Sequence, residues 1–182
     1  MTQKEKLCNN ALLLIGSAGL SSFDDGSAGA EIAKNLFSLT YKSLLTETRW
    51  HFATRSVVIP KIADNQKYVS NFQLPQDCLY VIKANINPYE IYERTIRVEQ
   101  GVENIQIDYI FEPEVQNTPP YFQQALEFKL AAKFSIPVAE DTQKASTYTA
   151  LYMQEVKRAK YLDSTSRTVD RIEQGAYITA RY

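Results

Sequence analysis

The sequence is poor in the residues from which metal and redox sites are built. Among its 182 residues it holds one histidine, His51, and two cysteines, Cys8 and Cys78. A single histidine cannot form a histidine-based metal cluster, and the two cysteines have no metal-ligand spacing. Cys8 falls on an apolar helix face and Cys78 in an apolar strand-like run, so we expect two buried, reduced thiols. The sequence therefore predicts no metal and no cofactor.

The chain also lacks an excess of charge and a long apolar run. Its formal net charge is −1, whereas a dedicated nucleic-acid binder is usually basic. A charge so close to zero gives little colloidal repulsion, so assembly into larger structures is tolerated. No apolar run approaches the roughly 18 residues of a membrane span, and we expect no signal peptide. These absences favour an ordinary soluble globular protein.

Tyrosine, in contrast, is abundant. Twelve Tyr and eight Phe accompany a single Trp. Tyrosine suits surfaces that must be both apolar and wet, as many protein–protein interfaces are. It also serves in cores and on sheet faces, so the composition only shifts the expectation toward assembly.

Helical periodicity at both ends of the chain predicts four helices. Apolar residues recur there at spacings of three and four, as they do on the buried side of a helix. Thr2 is placed to cap the first helix and Thr118 the third, while Gly16 can end the first. The predicted helices span about residues 3–15, 27–48, 119–135 and 141–162.

Between the two helix pairs the pattern becomes extended, which predicts an antiparallel β insertion over about residues 51–113. The candidate strands are His51–Pro60, Tyr68–Gln73, Leu79–Asn85, Ile91–Val98 and Ile105–Phe111. The last two flank a loop over residues 99–104 and are predicted to form a hairpin. The predicted fold class is therefore α+β and mainly α. We expect a four-helix bundle core with a central antiparallel β insertion, in a single domain over residues 1–164.

The final stretch, residues 165–182, combines arginines with isolated apolar side chains. A freely solvated tail would hold fewer such anchors. We expect an extended or helical C-terminal arm that folds onto a partner, with packing on its own domain as the alternative. The candidate binding residues are Arg167, Val169, Arg171, Ile172, Tyr177, Ile178, Arg181 and Tyr182.

Several motifs follow one another in a fixed order along the chain. An opening helix of the form Asn-x-Ala-Leu-x-x-x-Gly precedes a Ser-Phe-Asp-Asp linker and a helix that ends in Trp-x-Phe-Ala. Residues 68–78 then have the form Tyr-x-x-x-Phe-x-Leu-Pro-x-Asp-Cys. The positions that carry these motifs are Ala11, Leu12, Gly16, Trp50, Phe52, Leu74, Pro75 and Asp77. With the Pro-rich entry into two last helices and the arm, this set resembles the head-to-tail adaptors of tailed bacteriophages, the tail tubular protein A type of short-tailed phages.

The resemblance implies a structural virion protein and no enzyme. Adaptors of this type form a ring, usually dodecameric, below the dodecameric portal, where they extend the DNA channel and join head to tail. Their C-terminal arms dock on the portal, which assigns the portal contact to the arm of this chain. The resemblance further implies a tail nozzle protein and tail fibres as partners, and genomic DNA that passes through the lumen without specific binding. The place of the protein would be the head–tail junction of the virion, and the host cytoplasm during assembly.

Two alternatives stay open from the sequence. One is a neck adaptor of a long-tailed phage that contacts a head-closure ring. The other belongs to a different class, a cell-wall hydrolase that uses the carboxylate pairs Asp24/Asp25 or Glu112/Glu114. We expect the first pair to cap a helix and the second to lie in a solvated loop. His51 is expected at a helix end or in a strand, because no nucleophile motif accompanies it.

Overall fold

The computed structural model describes residues 1–62 and 69–166, which form a mixed α/β fold. The helices in these ranges are α1 (Gln3–Leu14), α2 (Ala28–Glu47), α3 (Pro120–Ser135) and α4 (Thr142–Thr165). Short 3-10 turns occupy His51–Ala53 and Val115–Asn117. The four predicted helices and their order are confirmed. The arm residues Arg167 to Tyr182 lie outside the described residues, and Thr165, predicted to belong to the arm, is the last residue of α4.

Side-chain caps define where the first two helices begin. The backbone N–H of Glu5 donates to Thr2 Oγ1 at 3.3 Å, and the Glu5 carboxylate accepts from the Thr2 N–H at 2.6 Å. This reciprocal pair is a capping box. Ser27 caps α2 by accepting from the Ala30 N–H at 3.2 Å. Gly16 ends α1 in a left-handed conformation (φ +76°) that suits glycine.

The expected cap of α3 is wrong. The backbone forms a 3-10 turn just before this helix, and the Thr118 hydroxyl donates to the Val115 carbonyl at 2.7 Å instead. Pro119 takes the N-cap position, and Pro120 opens the helix. A proline fits at this point because the first N–H groups of a helix have no intrahelical partner.

The four helices share one hydrophobic core. α3 contacts α1, α2 and α4, so it lies at the centre of the helical layer. Each helix contributes a buried stripe, and the larger members are Leu7, Leu12, Phe37, Tyr41, Leu44, Phe122, Leu126, Phe134, Tyr152 and Val156. This shared burial, more than the propensity of any one helix, stabilises the helical layer.

The central segment is an antiparallel β insertion, as predicted. Its strands are β1 (Thr54–Pro60), β2 (Ser70–Gln73), β3 (Cys78–Ala84), β4 (Glu90–Tyr92), β5 (Thr95–Val98) and β6 (Asn104–Phe111). They form two three-stranded sheets with the orders β1-β6-β3 and β2-β5-β4. An antiparallel bridge between Lys61 and Phe72 links the two sheets.

The predicted hairpin around residues 99–104 is wrong. The run Ile91–Val98 is not one strand, because a turn with Glu93 at φ +53° divides it into β4 and β5, which pair with each other. β5 and β6 then belong to different sheets. The first strand is also shorter than predicted, since residues 51–53 form a 3-10 turn and β1 begins at Thr54.

A second core lies between the inner faces of the two sheets. Its buried members are Ile59, Phe72, Leu74, Val81, Ile96, Val98, Ile105, Ile107 and Tyr109. Successive residues of a strand point to opposite faces. Tyr109 of β6 therefore enters this core, while the next residue, Ile110, enters the helical core. Strand β6 thus lies between the two cores and packs against both.

The cross-strand pair Ile91–Ile96 offers a matched test of this second core. Ile96 is fully buried, whereas Ile91 is 47% exposed. We expect Ile96→Ala to lower the free energy of unfolding by about 2–5 kcal/mol, because it leaves a cavity. Ile91→Ala should cost less than about 1 kcal/mol. Urea unfolding measures both, and equal losses would contradict the assignment of Ile96 to a core.

Candidate assembly site at the junction of helices and sheets

The only tryptophan, Trp50, stabilises the junction between α2 and β1, where the chain passes from the helical layer to the sheets. Trp50 is fully buried, and its indole Nε1–H donates to the Leu44 carbonyl in the last turn of α2 at 2.9 Å. The Thr54 hydroxyl donates to the Trp50 carbonyl at 2.7 Å. These two bonds fix the direction in which the chain leaves the helical layer for the sheet.

Phe122 of α3 is the centre of an aromatic cluster at this junction. Its ring lies 5.2 Å from the Trp50 ring at 90°, 5.0 Å from Phe52 at 73° and 6.0 Å from Tyr41 at 84°. Edge-to-face contacts of this kind add to the energy of burial, because the positive ring edge meets the negative ring face. The cluster joins α2, the 3-10 turn and α3.

Asp163, close to the end of α4, binds the same junction from the other side. Its carboxylate accepts from the His51 backbone N–H at 2.7 Å and from the Tyr121 hydroxyl at 2.9 Å. The His51 Nδ1 lies 3.0 Å from the same carboxylate, whose side chain is 4% exposed while the histidine ring is 40% exposed. Burial, and then the bond to Asp163, raise the pKa of Tyr121, so its hydroxyl stays a donor. The junction therefore also fixes the end of α4, just before the arm.

Sequence reasoning missed Asp163, although a signal was present. The buried positions of α4 recur as Tyr152, Val156, Ala159 and Asp163, at the spacing of one helical face. An aspartate on the buried face of a helix must find hydrogen-bond donors elsewhere in the fold. His51, expected at a helix end or in a strand, lies in the 3-10 turn after α2 and supplies one of those donors.

The residues that carry the sequence motifs lie in the two hydrophobic cores and in the turn before β3. Ala11 and Leu12 are fully buried in the helical core, and Leu74 is buried in the core between the sheets. Asp77, after the Leu-Pro turn, accepts from Arg55 at 3.1 Å and from the Tyr109 hydroxyl at 3.2 Å. The motif at residues 74–77 thus connects a turn to β1 and β6. Tyr68, the first residue of that motif, lies outside the described residues.

A second polar cluster joins three helices. Lys129 of α3 donates to the carboxylate of Glu47, at the end of α2, at 2.8 Å, and the Tyr152 hydroxyl of α4 donates to the same oxygen. Partial burial raises the pKa of Glu47, but the hydrogen bonds from Lys129 and Tyr152 lower it by more, so the net shift is downward. Burial and the bond to Glu47 raise the pKa of Tyr152.

The carboxylates considered for hydrolysis have structural partners. Asp24 pairs with Lys34 at 2.8 Å, and Glu112 lies 3.3 Å from Lys42. The expectation that the pair Asp24/Asp25 caps a helix is wrong, because Ser27 is the N-cap of α2. Asp25 instead accepts hydrogen bonds from Ser27 and from Ser21, which lower its pKa to about 2. Glu112 also lines, with Asp77 and Glu114, a cleft of about 530 Å³ between the start of α1 and the chain after β6.

The remaining reactive groups are also poorly suited to chemistry. Burial, and then the charge of Glu5, raise the pKa of the Cys8 thiol to about 12, which keeps it protonated. Cys78, also expected to be buried, is only half-buried, and this partial burial raises its pKa. Across residues 1–62 and 69–166, no group of three or more His, Cys, Asp or Glu side chains could hold a metal ion.

Comparison with known proteins gives the family. The family model described as tail tubular protein matches residues 7–171, which is nearly the whole chain. The chain belongs to the tail tubular protein family. No curated protein matches it in sequence. The resemblance inferred from the motifs is thereby confirmed at the level of the family.

Membership of the tail tubular protein family makes the chain a structural component of a phage tail and of the virion. The family is structural and not enzymatic, and neither the geometry nor the family supports the hydrolase alternative. Among the helices of the described part, none is long and apolar enough to cross a membrane.

The Glu47 cluster gives a prediction for acid conditions. The folded-state pKa of Glu47 lies below its value in the unfolded chain, about 4.3 for a glutamate. Its ionised form therefore adds stability above about pH 4, and this contribution disappears as the pH falls through the folded-state pKa. We expect Glu47→Gln to lower the urea midpoint of unfolding at pH 7, and the difference from wild type to shrink below pH 4.

Glu90→Gln is the control, since Glu90 lies in the exposed strand β4. A destabilisation by Glu47→Gln that is the same at pH 7 and pH 3 would show that the ionised carboxylate is not what stabilises this cluster.

Proposed function

We propose that this tail tubular protein forms a ring below the portal, extends the DNA channel and joins head to tail. The observation that carries the proposal is the family match over residues 7–171, which runs from α1 into the first arm residues. The partners in this proposal are a dodecameric portal, further copies of the same chain in a dodecameric ring, the tail nozzle protein and tail fibres. Genomic DNA passes through the lumen without specific binding.

The arm is the element that we assign to the portal. It follows the last turn of α4, and its three arginines and apolar residues, among them Arg171 and Tyr177, supply anchors for a groove on a partner. Binding of such a segment orders it, so part of the contact energy is spent on that ordering. Subunits can therefore stay apart until the portal offers its groove.

Deleting residues 167–182 tests this assignment. We expect the truncated protein to lose binding to purified portal rings in co-sedimentation and electron microscopy. Its thermal unfolding should stay close to that of the full chain, because residues 1–62 and 69–166 by themselves supply two hydrophobic cores. A truncated protein that still assembles on the portal like the full chain would contradict the role of the arm.

A ring requires two different surfaces on each copy, because its contacts are head to tail. One candidate is a second apolar stripe of α2, formed by Ile32, Leu36 and Leu39 at the spacing of one helical face. It flanks the buried Ala33–Phe37–Leu44 side: Ile32 and Leu36 are half-buried against the helical core, and Leu39 is 72% exposed. The other candidate is a row on α4 with Met153 and Tyr161, which are 53% and 69% exposed.

Leu39→Glu tests the α2 surface. A charge in a desolvated contact is unfavourable, so we expect this variant to remain folded but to fail to form rings on the portal. Ser38→Glu is the matched control, because it places the same charge at the neighbouring exposed position. Ring formation by Leu39→Glu at the wild-type level, counted by electron microscopy, would show that this stripe is not an interface.

A further inference from the structure

In the last turns of α4 a single buried side chain contacts the rest of the molecule. Within residues 160–166, Asp163 is the one buried residue, at 3% exposure. Its neighbours Tyr161 and Leu162 are 69% and 36% exposed. The apolar part of the buried stripe ends one turn earlier, at Ala159. Hydrophobic burial therefore contributes little to the place where α4 ends.

Local helix preferences do not account for an aspartate at this position. The C-terminal end of a helix carries a partial negative charge, which disfavours a carboxylate there. Burial of a carboxylate is also unfavourable unless donors surround it. What offsets both effects is the junction, where the His51 N–H, at the start of a 3-10 turn, and the Tyr121 hydroxyl donate to Asp163. Asp163 therefore caps the start of the 3-10 turn at His51 and does not cap its own helix, α4.

The sequence position of Asp163 gives this contact a consequence for the arm. The arm follows directly after Ser166, the C-cap residue of α4. We propose that Asp163 is the positioning residue of the C-terminal arm. It holds the last turn of α4 against His51 and Tyr121, so that every copy presents its arm from the same point of the junction.

This inference rests on the proposed function, in which the arm binds the portal. An arm with a fixed origin loses less freedom on binding than an arm whose origin moves, so the anchor favours portal binding without touching the portal. In a ring the advantage is repeated in every copy, because all arms must reach equivalent grooves at once.

Asp163→Ala and Asp163→Asn in the full chain test the anchor, with Ser164→Ala as the matched control. Ser164 is exposed and donates only within its own helix, to the Tyr161 carbonyl. Hydrogen exchange should show at least roughly tenfold faster exchange of the amides of residues 160–166 in Asp163→Ala, with the amides up to Ala159 unchanged. Affinity for purified portal rings should fall roughly tenfold, and Ser164→Ala should match wild type in both measurements.

Asp163→Asn keeps the shape of the side chain and guards against a misfolded alanine variant. Asp163→Asn should also show faster exchange of the amides of residues 160–166 and lower affinity for portal rings, while the amides up to Ala159 exchange as in wild type. Wild-type exchange of residues 160–166 in both variants would overturn the anchor. Faster exchange with unchanged portal affinity would overturn the positioning role.

The truncation after residue 166 separates this inference from the proposed function. If the truncated protein binds the portal as well as the full chain, the portal role of the arm is wrong, while the exchange experiment still decides whether Asp163 anchors α4. If truncation abolishes binding and the Asp163 variants bind normally, the arm role stands and the positioning role is wrong.

Discussion

The edge-to-face packing around Phe122 is the interaction on which the rest of the structure depends. The Phe122 ring is fully buried and meets Tyr41 of α2 and Trp50 and Phe52 of the turn that follows α2. Through the Phe122 ring, α3 fixes the position of α2 and of the turn that connects α2 to β1. Asp163 adds the end of α4 to the same place. Four segments that are distant in sequence therefore meet at this junction: α2, the turn that follows it, α3 and the end of α4.

Strand β6 connects the helical layer to the β insertion. Because Tyr109 and Ile110 point to opposite faces, one strand contributes to the core between the sheets and to the helical core. The acidic residues that could suggest catalysis have structural partners, since Asp24 pairs with Lys34 and Glu112 lies beside Lys42. Polar and aromatic contacts that join distant elements in this way suit a structural tail protein of the tail tubular family.

The sequence predicted those parts of the fold that local chemistry determines. Helices with clear apolar spacing and with caps such as Thr2 were found at nearly their true bounds, and the β insertion was found from its alternation. The hairpin failed because Ile91–Val98 alternates like one strand, and only the pairing of β4 with β5 shows that Glu93 turns the chain. Asp163 was missed because its partners, His51 and Tyr121, become neighbours only through tertiary packing. The arm residues that the sequence singled out lie beyond the described residues and stay a prediction.

The most direct test of the central claim uses Trp50, the only tryptophan, as a reporter of the junction. Trp50 is fully buried against Phe122. Urea unfolding followed by tryptophan fluorescence should therefore coincide with unfolding followed by far-ultraviolet circular dichroism. In Phe122→Ala both transitions should move together, by about 3–5 kcal/mol in the free energy of unfolding. A state in which Trp50 is exposed while the helical signal persists would contradict the account.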